Sequence, residues 1–235
     1  MKVNNSVLLL LATGVIAFTA CIGEIDNDPR EIGKSLYPNK VGYEVIYDVY
    51  RLRWDDFKTS ALPDTDRFQL REIIESRFID NAGNQANRLV LYTRKNDSDN
   101  WLPYKVYSSL LSEYNFERSE DNKRLVKLVF PVGKDKGWNG NIYNAQDAER
   151  LKYTAVYIGM QIGNSILDST VTVERKSDIP ENDSNAVFKC TQKEIFAKGI
   201  GMVYHESDSI NFTGGTSHNR WYGTRTKMTM VGHTP

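Results

Sequence analysis

The stretch GYEVIYDVYRLRW, residues 42–54, alternates large apolar or aromatic side chains with polar ones at a period of two. That period places Tyr43, Val45, Tyr47 and Val49 on one face of an extended strand, with Ile46, Tyr50, Leu52 and Trp54 on the other. The pattern recurs in NRLVLYTRK, WLPYKVYSSLL, RLVKLVFPV, STVTVERK, AVFKCTQKEIFAKGIGMVYHE and TRTKMTMV. In the last of these, Met228 and Met230 share a face opposite Lys227 and Thr229. Polar clusters at 96–100 and 119–123 separate pairs of such runs, as hairpin loops do. Helical patterns are scarce. DTDRFQLREIIESRFID fits either a capped helix or a strand and is read as a strand, whereas AQDAERLKYTAVYIGM opens on good helix formers and predicts a short helical turn leading into a strand. Further loops are expected at 177–185 and 213–220. The sequence predicts a mostly β protein: a single antiparallel sheet domain over 36–235, curled into a barrel or half-barrel, with at most one or two short helices.

The N-terminus follows different rules. VLLLLATGVIAFTAC, residues 7–21, is apolar but too short to span a bilayer; it follows a start carrying Lys2 and exits through Thr19 and Ala20. These features define a signal peptide over residues 1–20. Phe18-Thr19-Ala20-Cys21 resembles a bacterial lipobox, in which the cysteine thiol accepts diacylglycerol and cleavage leaves it as the first residue. The resemblance implies lipidation at Cys21, with residues 21–35, acidic and broken by Pro29, as a flexible tether. Ile22 after the cysteine, where Asp would favour inner-membrane retention, implies the outer membrane; neither of its faces is preferred. With Cys21 lipidated, Cys190 has no disulfide partner and reads as a small buried hydrophobe.

LYPNKVGYEVIYDV, LVFPVGKDKGWNGNIYN and KEIFAKGIGMVYHE, taken in order, resemble a group of uncharacterised lipoproteins from Bacteroidota. The likeness covers most of residues 36–206 and implies a β-rich envelope lipoprotein, without implying a reaction. The motifs also have architectural readings. Gly199 and Gly201 flank Ile200 within a strand pattern and predict a bulge, a bend or a close backbone approach. Asn139-Gly140 predicts a turn.

The chain carries 30 basic and 30 acidic residues, an even balance with no electrostatic footprint for nucleic acid. It has three histidines, His205, His218 and His233, and lacks HExxH, paired CxxC and GxSxG patterns. His205, Glu206 and Asp208 could supply ligands, but without zinc-like spacing they read as a strand end entering a polar loop. No metal site and no cofactor is expected. Trp101, Trp138 and Trp221 lie in or beside expected loops; they are candidate ligand-binding residues, or else rings that cap a β core. Asp168-Ser169-Thr170 and Asp208-Ser209-Ile210 resemble an O-glycosylation sequon of Bacteroidota, which would place sugars on Ser169 or Ser209.

The reading that follows is a non-enzymatic binding or accessory protein of the cell envelope, held to the membrane by its N-terminal lipid, with a glycan, a lipid or a protein as ligand. The alternative is an envelope hydrolase acting on glycans or peptides through carboxylate catalysis, which no particular pair of residues singles out.

Overall fold

A computed structural model describes residues 32–55, 57, 62–175, 188–212 and 221–234. The described chain is antiparallel β throughout, apart from one 3-10 turn at Lys34–Leu36. The strands are β1 Glu44–Trp54, β2 Asp64–Ile79, β3 Gln85–Arg94, β4 Leu102–Leu111, β5 Asn115–Glu120, β6 Lys123–Val129, β7 Gly137–Asn139, β8 Arg150–Ile162, β9 Ser165–Arg175, β10 Phe188–Ala197, β11 Gly201–Phe212 and β12 Trp221–His233. They form one sheet in the order β6-β5-β4-β3-β2-β1-β12-β11-β10-β9-β8-β7. Two six-stranded meanders, β1–β6 and β7–β12, are thus joined by the pairing of the first strand with the last.

The sheet curls until its two edges meet. Val126 N–H of β6 donates to Gly140 O at 2.8 Å. The Trp138 indole N–H of β7 donates to Val126 O at 2.9 Å. The Tyr153 hydroxyl of β8 accepts from Val129 N–H and donates to Val129 O, both at 2.8 Å. These bonds occupy backbone groups that an open edge would leave to solvent, and they nearly close the sheet into a barrel, as the alternation led one to expect.

The inward rows are the ones read from the sequence. Tyr43, Val45, Tyr47 and Val49 are all buried, and with Leu70, Ile74, Leu89, Leu91, Phe116, Leu128, Val171, Val173 and Met230 they belong to one contiguous core. Residues 64–79 form the strand of that reading. The 3-10 turn plugs the barrel at one end. It bridges the end of the stretch read as tether and the start of the expected β domain, where Leu36 is fully buried and the Tyr37 ring stacks on Phe116 at 3.9 Å.

Three local expectations need correction. Residues 145–149 form no helical turn. The polar side chains before them capture the backbone instead: Asn139 Oδ1 accepts from Asn141 N–H and Glu149 N–H, and Asn144 Oδ1 from Gln146 N–H, which is how Asn competes with helix formation. The 119–123 loop is tighter than expected, a two-residue turn at Asp121 and Asn122 with φ of 47° and 64°. And 186–206 is not one bent strand but a hairpin, β10 and β11, turning at 198–200. Gly199 and Gly201 serve that turn with φ of 76° and 97°. A bulge does exist beside them, between Ile195 and Phe196 of β10 and their partners. The loop expectations at 177–185 and 213–220 lie outside the described residues, as do Cys21, the signal peptide and most of the tether.

Candidate functional site: a charged cavity inside the barrel

The barrel interior is not wholly apolar. β2 carries Glu72 in the inward row between Leu70 and Ile74. The register shift between β5 and β6 at Phe116/Glu117, and the one between β10 and β11, each insert an extra residue. An extra residue reverses which side chains point inward beyond it. The extra residues are Lys127 on β6 and Val203 on β11, so the shifts bring Lys127 and His205 inward, whereas Arg118 and Glu120 share the inward row of Phe116, and Glu194 that of Phe196, by plain alternation; all five join Glu72 along one partly open cavity of about 230 Å³. Apart from Arg51 and Lys105, its remaining wall is aromatic and apolar, including Tyr37, Tyr43, Tyr47, Tyr107, Phe116 and Phe196.

The charges are closely paired. Arg118 grips Glu72 in a two-pronged contact at 2.8 and 2.6 Å and donates through Nε to Glu120 at 2.6 Å. Lys127 donates to Glu194 Oε1 at 2.5 Å. His205 approaches the same oxygen through Nδ1 at 3.2 Å, while its Nε2 lies 3.1 Å from Ser207 Oγ. The other carboxylate oxygen, Glu194 Oε2, is buried without a hydrogen-bond partner among the described residues. Such an orphan is uncommon, because stripping water from a charged oxygen costs several kcal/mol when nothing replaces it.

Glu194, Glu120, Lys127 and Arg118 are held in their charged forms. Burial pushes the Glu194 carboxyl up, but Lys127 and the His205 contact more than reverse this and hold it at about 2. Burial likewise opposes the charge on Lys127 and Arg118, and the facing carboxylates overcome it and raise both. Glu120 is lowered, Arg118 outweighing the effect of burial. The phenols go the other way. Burial, helped by nearby Glu72, pushes Tyr37 to about 12, and it raises Tyr43 to about 12 as well. Both phenols therefore stay protonated; Tyr43 donates to Ile200 O at 3.0 Å, and Tyr37 and Ser109 share a 2.7 Å bond.

Trp101 and Trp138, singled out from the sequence, do not line this cavity. Trp138 is a seam residue, its ring 4.7 Å from that of Tyr153. Trp101 precedes β4, with the guanidinium groups of Arg94 and Arg71 over its ring at 4.4 and 5.0 Å. Trp221 opens β12, and its side chain lies outside the described residues. The fold does not bring Trp101 and Trp138 together. Ser209 is exposed on β11, whereas Ser169 on β9 is half-buried. Cys190 is half-buried, and Arg175 Nη1 lies 2.8 Å from its sulfur. The strand-end reading of His205, Glu206 and Asp208 must be corrected: all three stand within β11, and His205 lies on the cavity wall. Among the described residues no group of three His, Cys, Asp or Glu side chains gathers as a metal site.

The class defined by this geometry is an antiparallel β-barrel with a small, charge-lined interior cavity. In overall shape the chain is similar to a candidate exported protein with a YmcC-like fold from Bacteroides fragilis, at 10% identity and a TM-score of 0.46, over 85% of this chain and 98% of that one. No protein-family model matches the chain, and no curated protein matches it.

Proposed function

We propose that this protein is a lipid-anchored accessory protein of the bacterial cell envelope whose barrel interior binds a small polar ligand. The anchor rests on the lipobox-like Phe18-Thr19-Ala20-Cys21 and the short apolar run before it. Binding rests on one observation above the others: a cavity of about 230 Å³ whose wall holds a buried carboxylate with an unpartnered oxygen, Glu194 Oε2. Ligand sites combine an apolar wall with a few placed polar groups, and this cavity has both. It lies below the roughly 300–1,000 Å³ of drug-sized pockets, which favours a compact molecule over an acyl chain or an oligosaccharide.

The hydrolase alternative has less support here. A carboxylate acid must hold its proton near neutral pH, so its pKa must be raised. Glu120 and Glu194 are both lowered by their cationic partners.

A thermal-shift screen of compact polar molecules against the full-length protein tests the reading, because a ligand that binds only the folded state raises the apparent Tm. Binders should lose their effect in Met228→Trp, which places an indole in the cavity. Shifts that persist in Met228→Trp, or a screen with no binder of any charge class, would refute the interior as a binding site.

A further inference from the structure

Buried charges in proteins are normally matched one for one, since an unmatched charge keeps its desolvation cost without a compensating attraction. The cavity cluster breaks that rule. Glu72, Glu120 and Glu194 supply three carboxylates, while Arg118 and Lys127 supply two permanent cations. Lys105, also on the wall, is already paired with Asp121 at 2.6 Å. Arg51 lies over the Phe68 ring at 5.2 Å and pairs with none of the three carboxylates. Arg118 is shared between Glu72 and Glu120, so two carboxylates divide one guanidinium. At Glu194, Lys127 and His205 both converge on Oε1, which leaves Oε2 unpartnered. Counted with the His205 ring neutral, the deficit is one positive charge with hydrogen-bond donors, beside Glu194 and the more open Glu120, whose side chain is 28% exposed.

The surrounding wall suits a cation. Tyr47, Tyr107, Phe116 and Phe196 line the cavity, and the negative faces of aromatic rings attract ammonium groups, most strongly where water is excluded. We infer that the cavity takes a small organic ammonium, with the Glu194–Glu120 carboxylates as its counter-ion and the aromatic wall around its apolar body. This inference rests on the cavity being a binding site at all, and it adds the charge class of the ligand.

The test uses three molecules of one shape: 2-phenylethylammonium, 2-phenylethanol and phenylacetate, titrated into the full-length protein by NMR or calorimetry. The ammonium should bind at least about tenfold more tightly than either companion, as loss of a buried charge partner costs that much or more. Glu194→Gln, which keeps shape and removes charge, should erase the preference. Glu120→Gln, at the more open carboxylate, should weaken it if Glu194→Gln fails to fold. Met228→Trp should abolish binding of all three. If the alcohol or the acid binds as well as the ammonium and is lost in Met228→Trp, the ammonium inference is wrong while the cavity remains a binding site. If binding of the ammonium survives in Met228→Trp, or none of the three binds, the inference falls.

Discussion

Lys127 Nζ and Glu194 Oε1, 67 residues apart in sequence, meet at 2.5 Å inside the barrel and join β6 of one meander to β10 of the other. Removing one partner would strand the other charge in the interior. Lys127→Met should therefore destabilise the fold by about 3–5 kcal/mol, and the double variant Lys127→Met/Glu194→Leu should recover much of that loss. Urea denaturation of the two variants beside wild type measures both effects. A double variant no more stable than the single would mean that the pair does not act as a unit.

The same pair gives the fold an acid-sensitive component. The Glu194 carboxyl is at about 2 in the folded protein against 4.5 in the unfolded chain. A lowered folded-state pKa means that the unfolded chain takes up the proton first, so the contribution is complete above pH about 4.5 and fades as the pH falls towards 2. Its size is on the order of 3 kcal/mol. Denaturant midpoints measured from pH 7 to pH 2.5 should fall over that window in wild type, and more shallowly in Lys127→Met/Glu194→Leu.

Gly223 and Gly232 both lie in β12 and should respond in opposite ways to alanine. At Gly223, with φ of 140°, an added Cβ would clash with the Ser209 carbonyl oxygen. At Gly232 nothing lies within 4 Å. Gly223→Ala should lose well over 1 kcal/mol, while Gly232→Ala should stay within about 0.5 kcal/mol of wild type or gain stability. Thermal unfolding of the pair decides this, and equal effects would contradict the close β11–β12 approach.

At the seam, Trp138→Phe keeps most of the ring packing on Tyr153 but deletes the indole donor to Val126 O. The cost should be about 1–3 kcal/mol, the penalty for a polar group left unsatisfied. Hydrogen exchange should show the loss locally, with faster exchange at the Val126 and Val129 amides than at β2 or β3 amides.

The proposed anchor predicts a separable phenotype. Cys21→Ser removes the thiol that would accept diacylglycerol, so the variant should lose fatty-acid labelling and leave the membrane fraction or accumulate as precursor. The barrel's Tm should be unchanged. Labelling that persists in Cys21→Ser would refute the lipoprotein reading.

The strands were legible in the sequence because alternation is a local signal, and β1 with the residue before it shows this in full: Tyr43, Val45, Tyr47 and Val49 were read as one face and are buried together. The cavity charges were not legible, for two reasons. Glu72 sits in an apolar inward row, where a single charge looks like the polar half of an alternation. Lys127 and His205 turn inward at register shifts on β6 and β11 that no sequence period marks, and Arg118, Glu120 and Glu194 share the rows of Phe116 and Phe196, where charges read as a solvent face. One usable clue was Lys127, a lone cation in the run LVKLVFPV. The hairpin at 198–200 was hidden by its neighbours, since Ile200 and Met202 continue the apolar pattern through the turn.

The sheet order also gives the last strand an unusual duty. β12 sits between β1 and β11, and just past it Thr234 clasps the start of β1: Glu44 N–H donates to the Thr234 hydroxyl and Thr234 N–H to Glu44 O, both at 3.0 Å. In a simple meander the final strand is an edge, and a chain cut short there loses only its rim. Here a ribosome stall or a protease nick before Trp221 would remove the staple between the halves and leave β1 and β11 as two raw edges facing each other. Such a fragment could recruit the missing strand from a second chain, so C-terminal truncation should yield strand-exchanged dimers and aggregates rather than a smaller barrel.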